Sequence, residues 1–156
     1  MAIAQAVSNY LTQKNISFNT ITHPKTPSSS ATAHAAHIPE DHLAKSVVLK
    51  DKKGYLLAVI PASEWINLHQ LNDELNRELE LVPEDEIKQV FTDCQRGAVP
   101  PLGEAYGLDT IMDDAFNSLS KVYFESGDHE QLIEVNGEQF HTLMKGVRHG
   151  HYCKPH

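Results

Sequence analysis

The chain has 156 residues, 40% of them hydrophobic and 22% charged, the length and balance of one globular domain that needs no disulfide or metal staple. Thirteen Lys and Arg against 21 Asp and Glu give a formal charge of −8, which argues against a protein that coats duplex DNA or RNA through a broad basic face, or that anchors to a membrane by a polybasic patch. No apolar run approaches the roughly 20 residues of a membrane span, the N-terminus makes a poor signal peptide, and two cysteines are too few for a disulfide framework, so a cytoplasmic protein with no membrane partner is expected.

Ile3, Val7, Tyr10 and Leu11 recur at helical spacing and predict a first helix over 2–14. Alternation over 18–23 suits a short strand. A loop with two prolines and three serines follows at 24–30, and its serines can cap an Ala-rich helix over 31–37. Pro39 suits the first turn of a short helix over 40–44. Two apolar runs over 46–61, joined by Lys52-Lys53-Gly54, make the clearest hairpin. Asn67 can cap a helix that carries Leu68, Leu71 and Leu75 on one side. A short strand at 80–82 leads into a helix opened by Pro83, with Glu84, Asp85 and Glu86 at the positive end of its dipole.

The run Gly97-Ala98-Val99-Pro100-Pro101-Leu102-Gly103 cannot continue a helix or a central strand and must be a stiff, shaped loop. Strands are expected at 109–112, 121–125 and 131–135, then a turn at Asn136-Gly137, a last helix over 138–145, and a polar, frayed tail over 148–156. Helices and strands mix without strict βαβ alternation, which predicts a single α+β domain around a mixed, curved sheet, covering 1–147 and followed by the tail.

Four features invite chemistry, each with a plain structural alternative. Lys45 stands at the mouth of an apolar strand, where a lysine can hold a phosphate or carboxylate, or simply snorkel to water. The Gly97–Gly103 loop can aim backbone N–H groups at a developing oxyanion, or merely reverse the chain. Gly127-Asp128-His129 follows a predicted strand and can line a pocket or form a polar turn. Ten histidines raise the question of a metal: His34 and His37 share a helix face, while His149, His151, Cys153 and His156 crowd the tail. Neither HExxH nor paired CxxC occurs, so no metal and no cofactor is expected. Cys94, near the end of a helix, has nothing in sequence to lower its pKa.

In their order and spacing, AKSVVLKD at 44–51, YLLAVIPA at 55–62, FTDCQRGAVPPLGEAYGL at 91–108 and VYFESGDHEQLIEV at 122–135 resemble the YbaK-like family, free-standing relatives of the editing domain of bacterial prolyl-tRNA synthetases. The resemblance implies a barrel-like mixed sheet flanked by helices. It implies hydrolysis of the ester bond of a mischarged aminoacyl-tRNA, with Ala, Ser or Cys, also on tRNA-Pro, among the amino acids to consider.

By the same resemblance Lys45 engages the 3′-terminal nucleotide, the Gly-x-x-x-Pro loop falls on Gly97, Ala98, Val99, Pro100 and Pro101, and the Gly-x-His element falls on Gly127 and His129. Ester hydrolysis needs a water, an oxyanion stabiliser, for which N–H groups near Gly97 and Ala98 are candidates, and a holder for the terminal adenosine. No general base is forced by the sequence, so a vicinal ribose hydroxyl is a candidate activator of the water. Phe18, His23, Ser28, Ser46, Ala62 and Asp128 are candidate pocket liners that would exclude a larger amino acid by size. The expected partners are the 3′ end of an aminoacyl-tRNA and, in addition, a synthetase. The alternative is a non-catalytic module of the same fold that binds an RNA end or a synthetase. Lys45, Lys50, Lys52 and Lys53 lie close in sequence and suggest a local basic grip despite the acidic whole.

Overall fold

A computed structural model describes residues 3–26 and 28–155. Helix α1 (Gln5–Gln13) is followed by β1 (Asn19–Thr22), α2 (Ser29–Ala35), β2 (Leu43–Asp51), β3 (Gly54–Pro61), β4 (Glu64–Ile66), α3 (Leu68–Leu75), β5 (Glu80–Leu81), α4 (Glu84–Val90), β6 (Asp109–Asp113), β7 (Lys121–Glu125), β8 (Gln131–Asn136), α5 (Gly137–Leu143), β9 (Arg148–Gly150) and β10 (Cys153–Pro155). The ends are set by the residues that composition suggested. Ser28, Asn67 and Asn136 each accept a backbone N–H at a helix N-terminus, and Gln139 completes a capping box with Asn136. Pro83 is the N-cap of α4 rather than its first residue. The short helix expected over 40–44 is a single 3-10 turn, Glu40–His42, because Leu43 and Ala44 are already paired in β2.

The main sheet runs β1-β8-β7-β2-β3-β6-β9, and β5 adds to β2. Pairing is antiparallel in β1/β8, β8/β7, β2/β3 and β2/β5, and parallel in β2/β7, β3/β6 and β6/β9, so the domain is α+β around a mixed sheet. The hairpin β2–β3 is in register from Ala44↔Pro61 to Asp51↔Gly54 and uses one whole edge of β2. The other edge is divided. Strand β7 takes Leu43 and Ala44, β5 takes Leu49 and Lys50, and the two part company between them. Lys45 and Ser46 sit where the sheet splits.

One face of the sheet packs on α1 and α5 around Val7, Leu11, Val59, Phe116, Phe124, Ile133 and Phe140. A second cluster joins Leu49, Leu56 and Ile111 to Leu71 of α3 and to Tyr152. A third joins Ala33 of α2 to Leu43, Ala62 and Leu132.

The tail departs from the expected frayed segment. Residues 148–150 pair in parallel with β6, and Cys153–Pro155 pair with β4. Tyr152 is 1% exposed, so an aromatic ring, invisible to a reading weighted by the surrounding histidines, pins the end of the chain. His156 lies outside the described residues.

Candidate active site

A cavity of about 500 Å³ opens where β2 loses its neighbours. Of the residues singled out in sequence, Ser28, Lys45, Ser46, Gly97, Val99 and His129 line it. They come from the start of α2, from β2, from the loop after α4 and from the β7–β8 turn, so only the folded chain brings them together.

Lys45 is half-buried. Its Nζ donates to the Glu64 carbonyl oxygen at 2.7 Å and lies 5.5 Å from the Trp65 ring centroid. Burial pulls its pKa below the ordinary lysine value, against the pull of nearby acidic groups including Glu40 and Glu64. An ammonium has three N–H donors, and among the described residues one is committed to this carbonyl, which leaves two. Ser46 Oγ is buried with no hydrogen-bond partner among the described residues.

Gly97 has φ +79°, and a Cβ there would lie 3.6 Å from His129 Nε2, so loop and histidine pack face to face. The oxyanion expectation needs correction at Ala98: its N–H already donates to the Gln95 carbonyl at 3.1 Å, and the residue is fully buried. Gly97 and Val99 are the loop residues that reach the cavity, while Pro100 and Pro101 are buried behind them and fix the bend.

The Gly127–His129 turn is held from within. Asp128 Oδ1 accepts from Ser126 Oγ and from the backbone N–H groups of Glu130 and Gln131, at 2.9–3.0 Å. Gly127 has φ +102°, and a Cβ there would come within 2.5 Å of the Ala4 side chain. Asp128 and Gly127 therefore shape the turn rather than line the cavity, and His129 is set at φ 58°. Both His129 nitrogens are engaged: Nδ1 lies 3.1 Å from Glu125 Oε2 and Nε2 lies 2.8 Å from the Thr26 carbonyl. A ring so occupied does not act as a free general base. His23 is buried beneath, with Nε2 3.2 Å from Glu125 Oε1.

His23, expected as a liner, is therefore buried behind Glu125 and off the cavity wall, and two further expected liners belong elsewhere. Ala62 is fully buried, its N–H bonded to the Leu43 carbonyl. Phe18 flanks β1 and borders a separate cleft with Lys121 and Asn136. Glu125, Lys25, Arg96 and Glu84 also line the cavity and were missed in sequence. Lys25 and Arg96 are adjacent to features already noted, the Pro-rich loop and Gly97. Nothing in sequence singles out Glu125, which reads as the last residue of a strand.

The basic grip is also redistributed. Lys50 pairs with Glu86 at 2.8 Å, and Lys52 and Lys53 form the hairpin turn beyond the far end of β2, about 20 Å from Lys45 at strand rise. The cations at the cavity are Lys25, Lys45 and Arg96.

Cys94 is buried against Tyr106 and Asp93, and burial pushes its thiol up to about 12, far from a nucleophile. His34 and His37 are exposed and make no metal cluster among the described residues. The donors that do converge among the described residues are Glu64, Asp113 and Cys153, from β4, β6 and β10, where the thiol lies 2.6 Å from Glu64 Oε2 and 2.9 Å from Asp113 Oδ2.

The aminoacyl-tRNA editing domain model matches residues 23–143, and the chain belongs to that family. No curated protein matches it in sequence. The fold is shared with the hypothetical protein APE2540 (TM-score 0.83, 18% identity, 96% of this chain and 100% of that one). It is shared equally with a candidate trans-editing enzyme for prolyl-tRNA synthetase (0.83, 18%, 97% and 96%). A candidate signal transduction protein from Marinobacter aquaeolei VT8 also carries it (0.78, 21%), where this chain matches at 95% of its own length but spans 30% of the other.

Proposed function

We propose that the protein is a trans-acting deacylase that hydrolyses the ester between a mischarged small amino acid and the terminal ribose of tRNA, releasing amino acid and intact tRNA. Ala, Ser and Cys, on tRNA-Pro first, are the substrates to test. The observation that carries the reading is the cavity at the split edge of β2. It is of small-ligand size, and Lys25, Lys45 and Arg96 line it.

In this reading the two uncommitted Lys45 donors take the 3′-terminal nucleotide and stabilise charge on the tetrahedral intermediate. Cys94 is held as a thiol and His129 is spent on internal contacts, so water attacks the ester carbon directly and no acyl-enzyme forms. The leaving ribose oxygen takes the proton that the water loses, and the vicinal ribose hydroxyl positions the water. A synthetase that delivers the tRNA is the expected macromolecular partner.

The test is a deacylation panel of mischarged tRNAs with wild type and Lys45→Ala. Wild type should hydrolyse at least one pair, and the variant should be slower by about 100-fold or more, the usual cost of removing an oxyanion donor. A 2′-deoxy terminal ribose should slow turnover while binding survives. Wild type that binds tRNA but hydrolyses no pair overturns the reading.

A further inference from the structure

Glu125 ends β7 and is 6% exposed, and its carboxylate lies between two buried imidazoles. Oε2 is 3.1 Å from His129 Nδ1, within hydrogen-bond geometry, and Oε1 is 3.2 Å from His23 Nε2, an ion-pair contact that is not aligned as a hydrogen bond. The rings meet edge to face, with centroids 5.8 Å apart. The outer nitrogen of each ring faces a backbone carbonyl at 2.8 Å: Pro24 for His23 Nδ1 and Thr26 for His129 Nε2.

A carbonyl oxygen only accepts, so each outer nitrogen carries a proton. A neutral ring would then turn a bare nitrogen toward Glu125, lone pair against carboxylate oxygen, where little water can intervene. An added proton turns each such contact into an attraction, and two close both. Glu125 with two imidazoliums carries a net charge of +1, facing the same cavity as Lys45.

We propose that Glu125 is a positioning residue of the cavity: it keeps His23 and His129 doubly protonated, fixes the His129 ring, and through His129 Nε2 ties down the Pro24–Thr26 segment at the cavity rim. Only its catalytic consequence rests on the deacylase reading.

The surroundings agree in sign. The contact with Glu125 is the leading cause that raises both histidines above their ordinary value, against burial, against the charge of His129 in the case of His23, and against Lys25 in the case of His129. Lys45, Arg96 and Glu84 are the other charged groups at the cavity wall, and Asp128 is turned into its own loop. A histidine pKa raised by folding stabilises the fold fully below the unfolded value near 6.5, and that contribution is lost as pH rises through the folded value.

The experiment is a nitrogen-15 NMR titration of the histidine rings in the full chain, wild type and Glu125→Gln, with tryptic cleavage after Lys25 as the readout of the segment. At about pH 7 the wild-type rings of His23 and His129 should each show two protonated nitrogens, with midpoints above that pH and so above the ordinary value near 6.5. Glu125→Gln should weaken proton binding at His129 by about tenfold or more. It should also speed cleavage after Lys25, and where deacylation is measured it should move the alkaline loss of activity to lower pH.

A bare His129 Nδ1 at about pH 7 in wild type overturns the proposal, and that measurement stands even if the variant does not fold. An unchanged midpoint in the variant overturns it too. An unchanged cleavage rate overturns the tie to Pro24–Thr26. If wild type hydrolyses no mischarged tRNA, the deacylase reading fails while the ring protonation still decides this one.

Discussion

Ser46 sits beside Lys45 on the same strand, with its hydroxyl buried at the cavity wall and unpartnered among the described residues. Leaving a buried hydroxyl unpaired costs roughly 1–3 kcal/mol, a cost a substrate can relieve and an alanine abolishes. Ser46→Ala is therefore expected to hold or raise the thermal midpoint while shifting amino-acid preference in the deacylation panel. A lowered midpoint with unchanged preference would show that the hydroxyl serves the fold. Lys45 differs in kind, because its amine already holds the Glu64 carbonyl.

The element that carries most unexpected weight is β10. It pairs with β4 from Cys153↔Ile66 to Pro155↔Glu64, and β4 presents the carbonyl that holds Lys45. Just before it, Tyr152 fills the gap between α3 and the sheet, its N–H donating to Asp113 Oδ2 and its carbonyl accepting from Asn67 N–H. Tyr152→Ala is expected to cost about 3–5 kcal/mol, as for other large buried aromatics, read as a lower denaturant midpoint. Deacylation should fall with it, since Lys45 loses a fixed partner. A cost below about 1 kcal/mol would return the tail to the status of a loose end.

For the whole molecule, the acidic balance and the basic cavity are compatible because they act at different ranges. At physiological salt the Debye length is about 8 Å, so an excess of carboxylates elsewhere is largely screened from a substrate in the cavity. Three cations meeting a single-stranded end predict a log–log salt slope near −2, and so roughly a 20-fold loss of tRNA affinity from about 50 to 200 mM salt. A slope several times steeper in a binding titration would mean that duplex RNA is gripped by a surface outside the cavity.

The sequence by itself determined the local order of this protein. Helix caps at Ser28, Asn67 and Asn136, the β2–β3 hairpin and the stiff Gly97 loop are written in residues whose preferences act over three or four neighbours. The charge of −8 is likewise fixed by composition, but the local basic grip is not: Lys45 and Lys50 lie along β2 with Lys52 and Lys53 in the turn beyond it, and the cations at the cavity come from three separate segments. Only tertiary structure decided that Glu125 stands between two histidines, that Phe18 and Ala62 lie away from the cavity, and that a polar tail closes the fold around one tyrosine. Each of these depends on a contact between residues far apart in the chain, where hydrogen-bond geometry and burial choose the partner and sequence spacing carries no record of the choice.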